Sequence, residues 1–154
     1  RVWVARKEKF TKDQSVSAVL KEESDYGLES IRPYQGFQHS AELVKYNLLK
    51  FLIESKLDCK KVLAYGAAAK GNTLLNYCGV LPDLLPAVAD NAESKQGKYL
   101  PHSHIPIISP KMLEEESPDH ILVLPWNLIP ELTRQLSQYS LVTALPEFRF
   151  ISSS

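Results

Sequence analysis

The chain has 154 residues, a length that suits one globular domain with an appended arm. Hydrophobic residues make up 44% and charged residues 23%, and 18 basic and 18 acidic side chains give a formal net charge of zero. Without a basic excess, we expect neither nucleic acid nor a membrane as a partner. No apolar run approaches the roughly 18 residues of a membrane span, and no secretory signal opens the chain.

Cysteine and histidine usage also excludes some classes of protein. Two cysteines, Cys59 and Cys78, are too few for the disulfide framework of a small secreted domain, so they favour a reduced, cytoplasmic protein. We expect Cys78 to be a small buried hydrophobe. The four histidines are scattered and match no zinc spacing, so no metal site is expected. The chain begins with arginine rather than methionine, and we expect a piece of a longer protein.

The first 36 residues are predicted to form an arm and a linker. Residues 1–6 have the alternation of a strand. Residues 13–23 form a short helix, and Gly27 is its stop signal. Residues 26–36 contain turn residues and read as the linker. The apolar stripe of the short helix consists of Val16, Val19 and Leu20.

The clearest helix covers residues 37–57, where apolar side chains recur at the i, i+3, i+4 spacing of an amphipathic helix. We expect this helix to pack on the sheet beside the strand that follows it. The side chains of the stripe are Ala41, Val44, Leu48, Leu49 and Leu52.

The rest of the chain alternates strands with helices. Ser109 and Pro110 provide an N-cap and a proline at the first helical position, and Asn127 is expected to cap the last helix. The alternation predicts an α/β fold: a Rossmann-like, doubly wound, mostly parallel sheet with helices on both faces. Strands are predicted at residues 61–65, 85–90, 104–108, 119–124, 141–145 and 148–151, and helices at 70–77, 110–116 and 128–138.

The most informative stretch is the strand–turn–helix unit that contains two glycines. Gly66 and Gly71 occupy the first and third positions of the dinucleotide fingerprint, but Ala68 replaces the middle glycine. The methyl group of Ala68 limits how closely a pyrophosphate can approach the backbone. A P-loop is disfavoured because Lys70 precedes the second glycine instead of following it. The turn therefore fits either a phosphate seat at a helix N-terminus or a corner that binds nothing.

Ligands of open α/β sheets bind outside the carboxyl ends of the strands. Asp90 follows the second strand, where a Rossmann domain contacts a ribose, although a turn or helix cap explains an acidic residue equally well. The basic loop at residues 95–99 is either an anion site or a solvated loop, and Trp126 either stacks on a ligand ring or packs. The candidate binding residues are Gly66, Ala67, Ala68, Lys70, Gly71, Asn72, Asp90, Asn91, Lys95, Trp126 and Asn127.

Residues 65–79 resemble the signature of the C-terminal domain of S-adenosylmethionine-dependent sugar C-methyltransferases, enzymes that act on nucleotide-activated deoxysugars. The similarity covers most of the chain. Two positions depart from the family pattern: Ala92, where proline is usual, and His102, where glycine is common. The other matching segments are residues 90–101, 104–107 and 125–127.

The resemblance implies a division of labour between two domains. S-adenosylmethionine and the base that deprotonates the sugar carbon belong chiefly to a preceding methyltransferase domain, and residues 1–36 would be its last strand with a helix and linker. Residues 37–154 would form the Rossmann-like C-terminal domain, which closes over the active site and helps to hold the nucleotide-sugar. The residues show no nucleophile–base pair and no paired carboxylates, so we expect no catalytic residue and no methyl transfer by this chain alone.

Two other functions fit the residues. Ala68 in place of the middle glycine favours a Rossmann-like module that binds no ligand and serves as a scaffold or an oligomer interface. An NAD-dependent oxidoreductase is the weaker alternative, because the chain lacks the full glycine fingerprint and shows no catalytic Tyr–Lys or His–Asp arrangement.

Overall fold

The computed structural model describes residues 13–151 together with Arg6 and Lys9. The strand predicted at residues 1–6 lies, apart from Arg6, outside the described residues. The described residues up to Ser40 form one compact unit, and those from Ala41 onward form a second. The division falls inside the long helix that begins at Phe37.

Helices and strands alternate along the described residues. No helix in this part of the chain is long and apolar enough to cross a membrane. The helices are α1 (Gln14–Tyr26), α2 (Phe37–Leu57), α3 (Ala69–Cys78), α4 (Pro110–Glu116) and α5 (Ile129–Gln135). The strands are β1 (Val62–Tyr65), β2 (Val88–Ala89), β3 (Ile107–Ile108), β4 (His120–Val123), β5 (Ser140–Thr143) and β6 (Arg149–Ile151).

Local signals set both ends of helix α1 in the first unit. The Asp13 carboxylate accepts a hydrogen bond from the Ser15 backbone N–H at 2.9 Å, which is a side-chain N-cap. Gly27 ends the helix with a φ of 80°, as predicted, because glycine adopts this left-handed conformation without a Cβ penalty. No residue of α1 is buried, and the three apolar side chains of its predicted stripe are exposed.

The six strands form one sheet in the order β3-β2-β1-β4-β5-β6. Neighbouring strands are parallel, except that β6 runs antiparallel to β5. The strand order reverses between β1 and β4, which is the switch point of a doubly wound sheet. The predicted mostly parallel α/β sheet is confirmed.

Two hydrophobic clusters cover the two faces of this sheet. Helices α2 and α3 contribute Leu48, Leu52 and Leu75 to one cluster, and helices α4 and α5 contribute Leu113 and Leu132 to the other. Because successive strand side chains point to opposite faces, strands β1 to β5 each contribute to both clusters, whereas β6 contributes only Ile151, to the second. The predicted packing of α2 on the sheet and the helices on both faces are therefore confirmed.

The second and third strands are shorter than predicted. Within residues 85–90 only Val88–Ala89 is a strand, because Pro86 has no N–H for the ladder. His104 has a φ of 56° and cannot belong to an extended strand, so β3 begins only at Ile107. His102, where the resembling family commonly has glycine, has a φ of 71°, a left-handed conformation that suits glycine best.

Asn127 does not cap the last helix, contrary to prediction. Residues Trp126–Leu128 form a 3-10 turn, and α5 begins at Ile129 without a side-chain cap. Pro130 lies in the first turn of α5, where a missing N–H breaks no intrahelical bond. The Asn127 side chain instead accepts a hydrogen bond from Lys70 Nζ.

The two cysteines should react with thiol reagents at very different rates. Both are free; Cys59 is exposed, and burial raises the pKa of the Cys78 thiol to about 11. Because the thiolate is the reacting form, labelling with an aromatic disulfide reagent at neutral pH should give one fast equivalent, and a second only after denaturation. The Cys59→Ser variant should lose the fast equivalent; fast labelling of that variant contradicts the burial of Cys78.

Candidate ligand-binding site

The two glycines of the β1–α3 turn pack against the chain that leaves β4. A Cβ on Gly66, which has a φ of 95°, would lie 2.5 Å from Pro125 Cδ. A Cβ on Gly71 would lie 2.8 Å from Leu124 Cβ. Close packing therefore accounts for both glycines. The middle position, which lets a pyrophosphate approach the backbone in dinucleotide-binding domains, is Ala68, the N-cap residue of α3.

Asp90, at the carboxyl end of β2, braces the same turn. Its side chain is 12% exposed, and its carboxylate accepts hydrogen bonds from the backbone N–H groups of Ala67 at 2.7 Å and Ala92 at 2.8 Å. Lys95 Nζ donates to Asp90 Oδ2 at 3.1 Å and to the Ala67 carbonyl oxygen at 3.0 Å. Asp90 thus joins the turn to the loop after β2, and the predicted ribose contact of Asp90 stays a prediction.

A cleft of about 400 Å³ opens between the N-terminus of α3 and the loop after β2. Ala68 offers no side-chain cap. As at the start of any helix, the first backbone N–H groups of α3 lack intrahelical acceptors, and they form the positive end of the helix dipole. The lining residues are Ala67, Ala68, Ala69, Asn72, Ser94, Lys95, Lys98, Tyr99, Leu100, Pro101 and Ile107.

The polar groups of this cleft suit an anion that also carries hydrogen-bond donors. Lys98 supplies positive charge, and Lys95 adds to it only in part because it is paired with Asp90. None of the lining residues, all in the described part of the chain, is acidic. Asn72 Oδ1, and Asn76 Oδ1 one turn further along α3, are buried without a hydrogen-bond partner. An unsatisfied buried acceptor costs about 1–3 kcal/mol, so a hydroxyl or amine donor from a ligand would stabilise this region.

Other predicted binding residues lie outside the cleft. Lys70 Nζ lies 4.5 Å from the centre of the Trp126 ring, a cation–π contact, and donates to Asn127 Oδ1. These three side chains lie beside the end of β4. Asn91 accepts a hydrogen bond from the Tyr65 hydroxyl at 3.0 Å. Lys70, Trp126 and Asn127 thus contact one another, and Asn91 contacts Tyr65.

The structure therefore places some of the predicted binding residues in the cleft and others outside it. The sequence predicts either an anion site or a solvated loop at residues 95–99, but only Lys95 of that loop is among the candidate binding residues. Lys98 and Tyr99 of the same loop also line the cleft. The signal was available, since a lysine and an aromatic residue stand side by side at residues 98 and 99, and a bridge between Tyr99 and Pro106 holds this part of the loop. No three His, Cys, Asp or Glu side chains of the described residues could hold a metal ion. The predicted residues that line the cleft are Ala67, Ala68, Asn72 and Lys95.

Residues 1–146 match the family model of the C-methyltransferase C-terminal domain. The chain therefore belongs to this family, as the resemblance in its sequence predicted. It is similar to the C-methyltransferase NovU of Streptomyces niveus, with 33% identity over 144 residues. The match covers 90% of this chain and 34% of NovU, so the chain spans about a third of that relative's length.

Replacing Asp90 by Asn should destabilise the domain. The amide cannot accept at both oxygen positions and loses the ion pair with Lys95, so we expect the free energy of unfolding to fall by about 1–3 kcal/mol in urea titrations. Glu93→Gln makes the same chemical change at an exposed position nearby, and it should change the free energy of unfolding by less than about 0.5 kcal/mol. Equal effects of the two variants contradict the bracing role of Asp90.

Proposed function

We propose that this chain is the C-terminal domain of an S-adenosylmethionine-dependent C-methyltransferase that acts on a nucleotide-activated deoxysugar. Its role is to help hold the nucleotide-sugar acceptor. The observation that carries the proposal is the cleft beside α3, which combines two lysines with the unpartnered oxygen of Asn72. We also propose a cytoplasmic location, which the two free cysteines support.

The chemistry of a nucleoside diphosphate sugar suits the groups that line the cleft. Its phosphates are anionic, and Lys98, Lys95 and the N-terminus of α3 offer positive charge. Its base is a planar ring, and Tyr99, which is 63% exposed, offers an aromatic face for stacking. Its hydroxyl groups are donors, and Asn72 Oδ1 is a buried acceptor.

The same cleft does not suit S-adenosylmethionine, because the sulfonium is cationic and the charged lining residues are lysines. The lining also includes no Asp, Glu, His or Cys, and its titratable groups, Lys95, Lys98 and Tyr99, are assigned here to binding the acceptor. We therefore propose that the cofactor and the base belong to a preceding methyltransferase domain of the same polypeptide. The match covers only 34% of the length of NovU, which supports a second domain in the longer polypeptide. The residues of this chain then bind and orient the acceptor.

A ligand-free scaffold is the second candidate function, and the packing of the glycine turn favours it. Gly66 and Gly71 both have a structural reason to be glycine in their contacts with Pro125 and Leu124. An NAD-dependent oxidoreductase is less well supported, because Ala68 stands where the dinucleotide approaches the backbone.

Calorimetric titrations of residues 1–154 with thymidine diphosphate, S-adenosylmethionine and NAD distinguish these functions. We expect only the nucleoside diphosphate to bind, more weakly at high salt. Lys98→Ala should weaken binding about tenfold, because hydrogen bonds to charged groups contribute ~1.5–3 kcal/mol. Lys111→Ala is the matched control, because Lys111 is an exposed lysine of helix α4 outside the cleft, and it should have no effect on binding. Binding of NAD favours the oxidoreductase, and an absence of binding by all three favours the scaffold.

Residues 1–154 alone should show no methyl transfer when supplied with labelled S-adenosylmethionine and a nucleotide-activated keto-deoxysugar. In the longer polypeptide, Lys98→Ala should raise the KM for the acceptor about tenfold and leave the KM for the cofactor unchanged, because Lys98 contacts only the acceptor. Turnover by residues 1–154, or a rise in the cofactor KM, contradicts the proposed division between domains.

A further inference from the structure

Helix α2 carries a second apolar stripe on the face opposite the core. Leu48 is fully buried against the sheet. Because successive residues are rotated by about 100° around the helix axis, Leu57 points to the opposite side of the helix from Leu48. Exposed apolar side chains that form a contiguous patch mark interaction surfaces. The stripe consists of Leu43, Tyr46, Ile53 and Leu57, which are 46%, 58%, 45% and 77% exposed.

The spacing of this outer stripe is that of a helix–helix seam. With Lys50 at its centre, the stripe advances by three, four, three and four residues, the a/d pattern of a coiled coil. The pattern is almost the same in both directions from Lys50: a leucine stands seven residues away on each side, and Tyr46 and Ile53 flank the centre. A surface that matches its own reverse suits a two-fold contact between identical helices running antiparallel.

The charges at the centre of the stripe are also self-complementary. Lys50 Nζ lies 3.9 Å from a Glu54 carboxylate oxygen, and both side chains are exposed. When two copies of α2 pack antiparallel about Lys50, the two Lys50 side chains face each other at the two-fold axis. Glu54 of each copy lies about one turn away, where it can pair with Lys50 of the other copy and offset the repulsion between the two lysines. Such pairs contribute little binding energy at a surface, but they select partner and orientation.

An aromatic flank continues this surface beyond the helix. Lys50 and Glu54 also line a cleft of about 350 Å³ together with Phe51, Phe148 and Phe150. Phe150 is 55% exposed, and its ring meets that of Phe51 edge-on at 5.9 Å. The stripe itself is only about 21 Å long, so a helix pair alone buries less than the ~1,200 Å² of a stable interface. The aromatic flank adds buried area to the helix pair, and we expect the combined area to be that of a weak, reversible complex.

We propose that the outer face of α2 is the interface with a second copy of this chain, packed antiparallel about Lys50. The proposal does not depend on the ligand of the cleft beside α3. In this dimer the second copy covers the outer stripe of α2, which has more exposed large apolar side chains than any other helix of the second unit.

Sedimentation equilibrium over roughly 1–200 µM tests the dimer, since weak interfaces dissociate in the micromolar range. We expect the mass to rise from the 17.4 kDa of the monomer towards twice that value. Ile53→Asp should weaken association at least tenfold. Leu81→Asp is the matched control, because Leu81 is 49% exposed outside the stripe, and it should leave association unchanged. Circular dichroism melting shows whether both variants fold.

A charge exchange between copies tests the orientation. Lys50→Glu and Glu54→Lys should each weaken the dimer, because every pair across the interface then has like charges. An equimolar mixture of the two variants should associate again, since opposite charges face each other only between unlike copies. The intrahelical Lys50–Glu54 pair cannot explain that recovery, as it stays broken in both variants. A wild-type monomer at all concentrations, equal effects of Ile53→Asp and Leu81→Asp, or no recovery on mixing overturns the proposal.

Discussion

The domain depends on the close packing of the β1–α3 turn against the end of β4. Gly66 and Gly71 permit this contact, because a methyl group at either position would overlap Pro125 or Leu124. The turn in turn positions helix α3, whose Leu75 is fully buried on the sheet. Asp90 holds the other side of the turn through backbone hydrogen bonds. Steric fit on one side and buried hydrogen bonds on the other thus set the geometry of the whole β1–α3–β2 unit.

This packing also decides where a ligand can bind. In a dinucleotide-binding domain the switch point between β1 and β4 is the ligand crevice. Here Pro125 approaches Gly66 at that point, and Lys70 binds Trp126 and Asn127 beside it. The open, positively charged space lies instead across α3, beside the loop after β2. The described chain therefore has the strand order of a Rossmann-like domain, while the cleft beside α3 lies between β1 and β2 rather than at the switch point.

Helix α2 carries apolar side chains on two opposite faces. Leu48 and Leu52 satisfy the amphipathic pattern that attaches the helix to the sheet. Leu43 and Leu57, on the opposite side, are not needed for that attachment and are exposed. A helix that is apolar on two faces is ordinarily buried between two layers. Within the second unit the sheet supplies one of those layers, and we propose that a second copy supplies the other.

Local and periodic features of the sequence determined the order of the elements, the α/β class and several boundaries. The helix stop at Gly27, the cap at Ser109 and the extent of α2 each depend on nearby residues, so the sequence specifies them directly. The tertiary structure alone decided which rim residues meet. Lys95 turns back to Asp90 and Ala67, and Asn127 pairs with Lys70 rather than capping a helix. The Lys95–Ala67 and Lys70–Asn127 contacts join residues far apart in the chain, and hydrogen-bond geometry across elements leaves no periodic trace in a sequence.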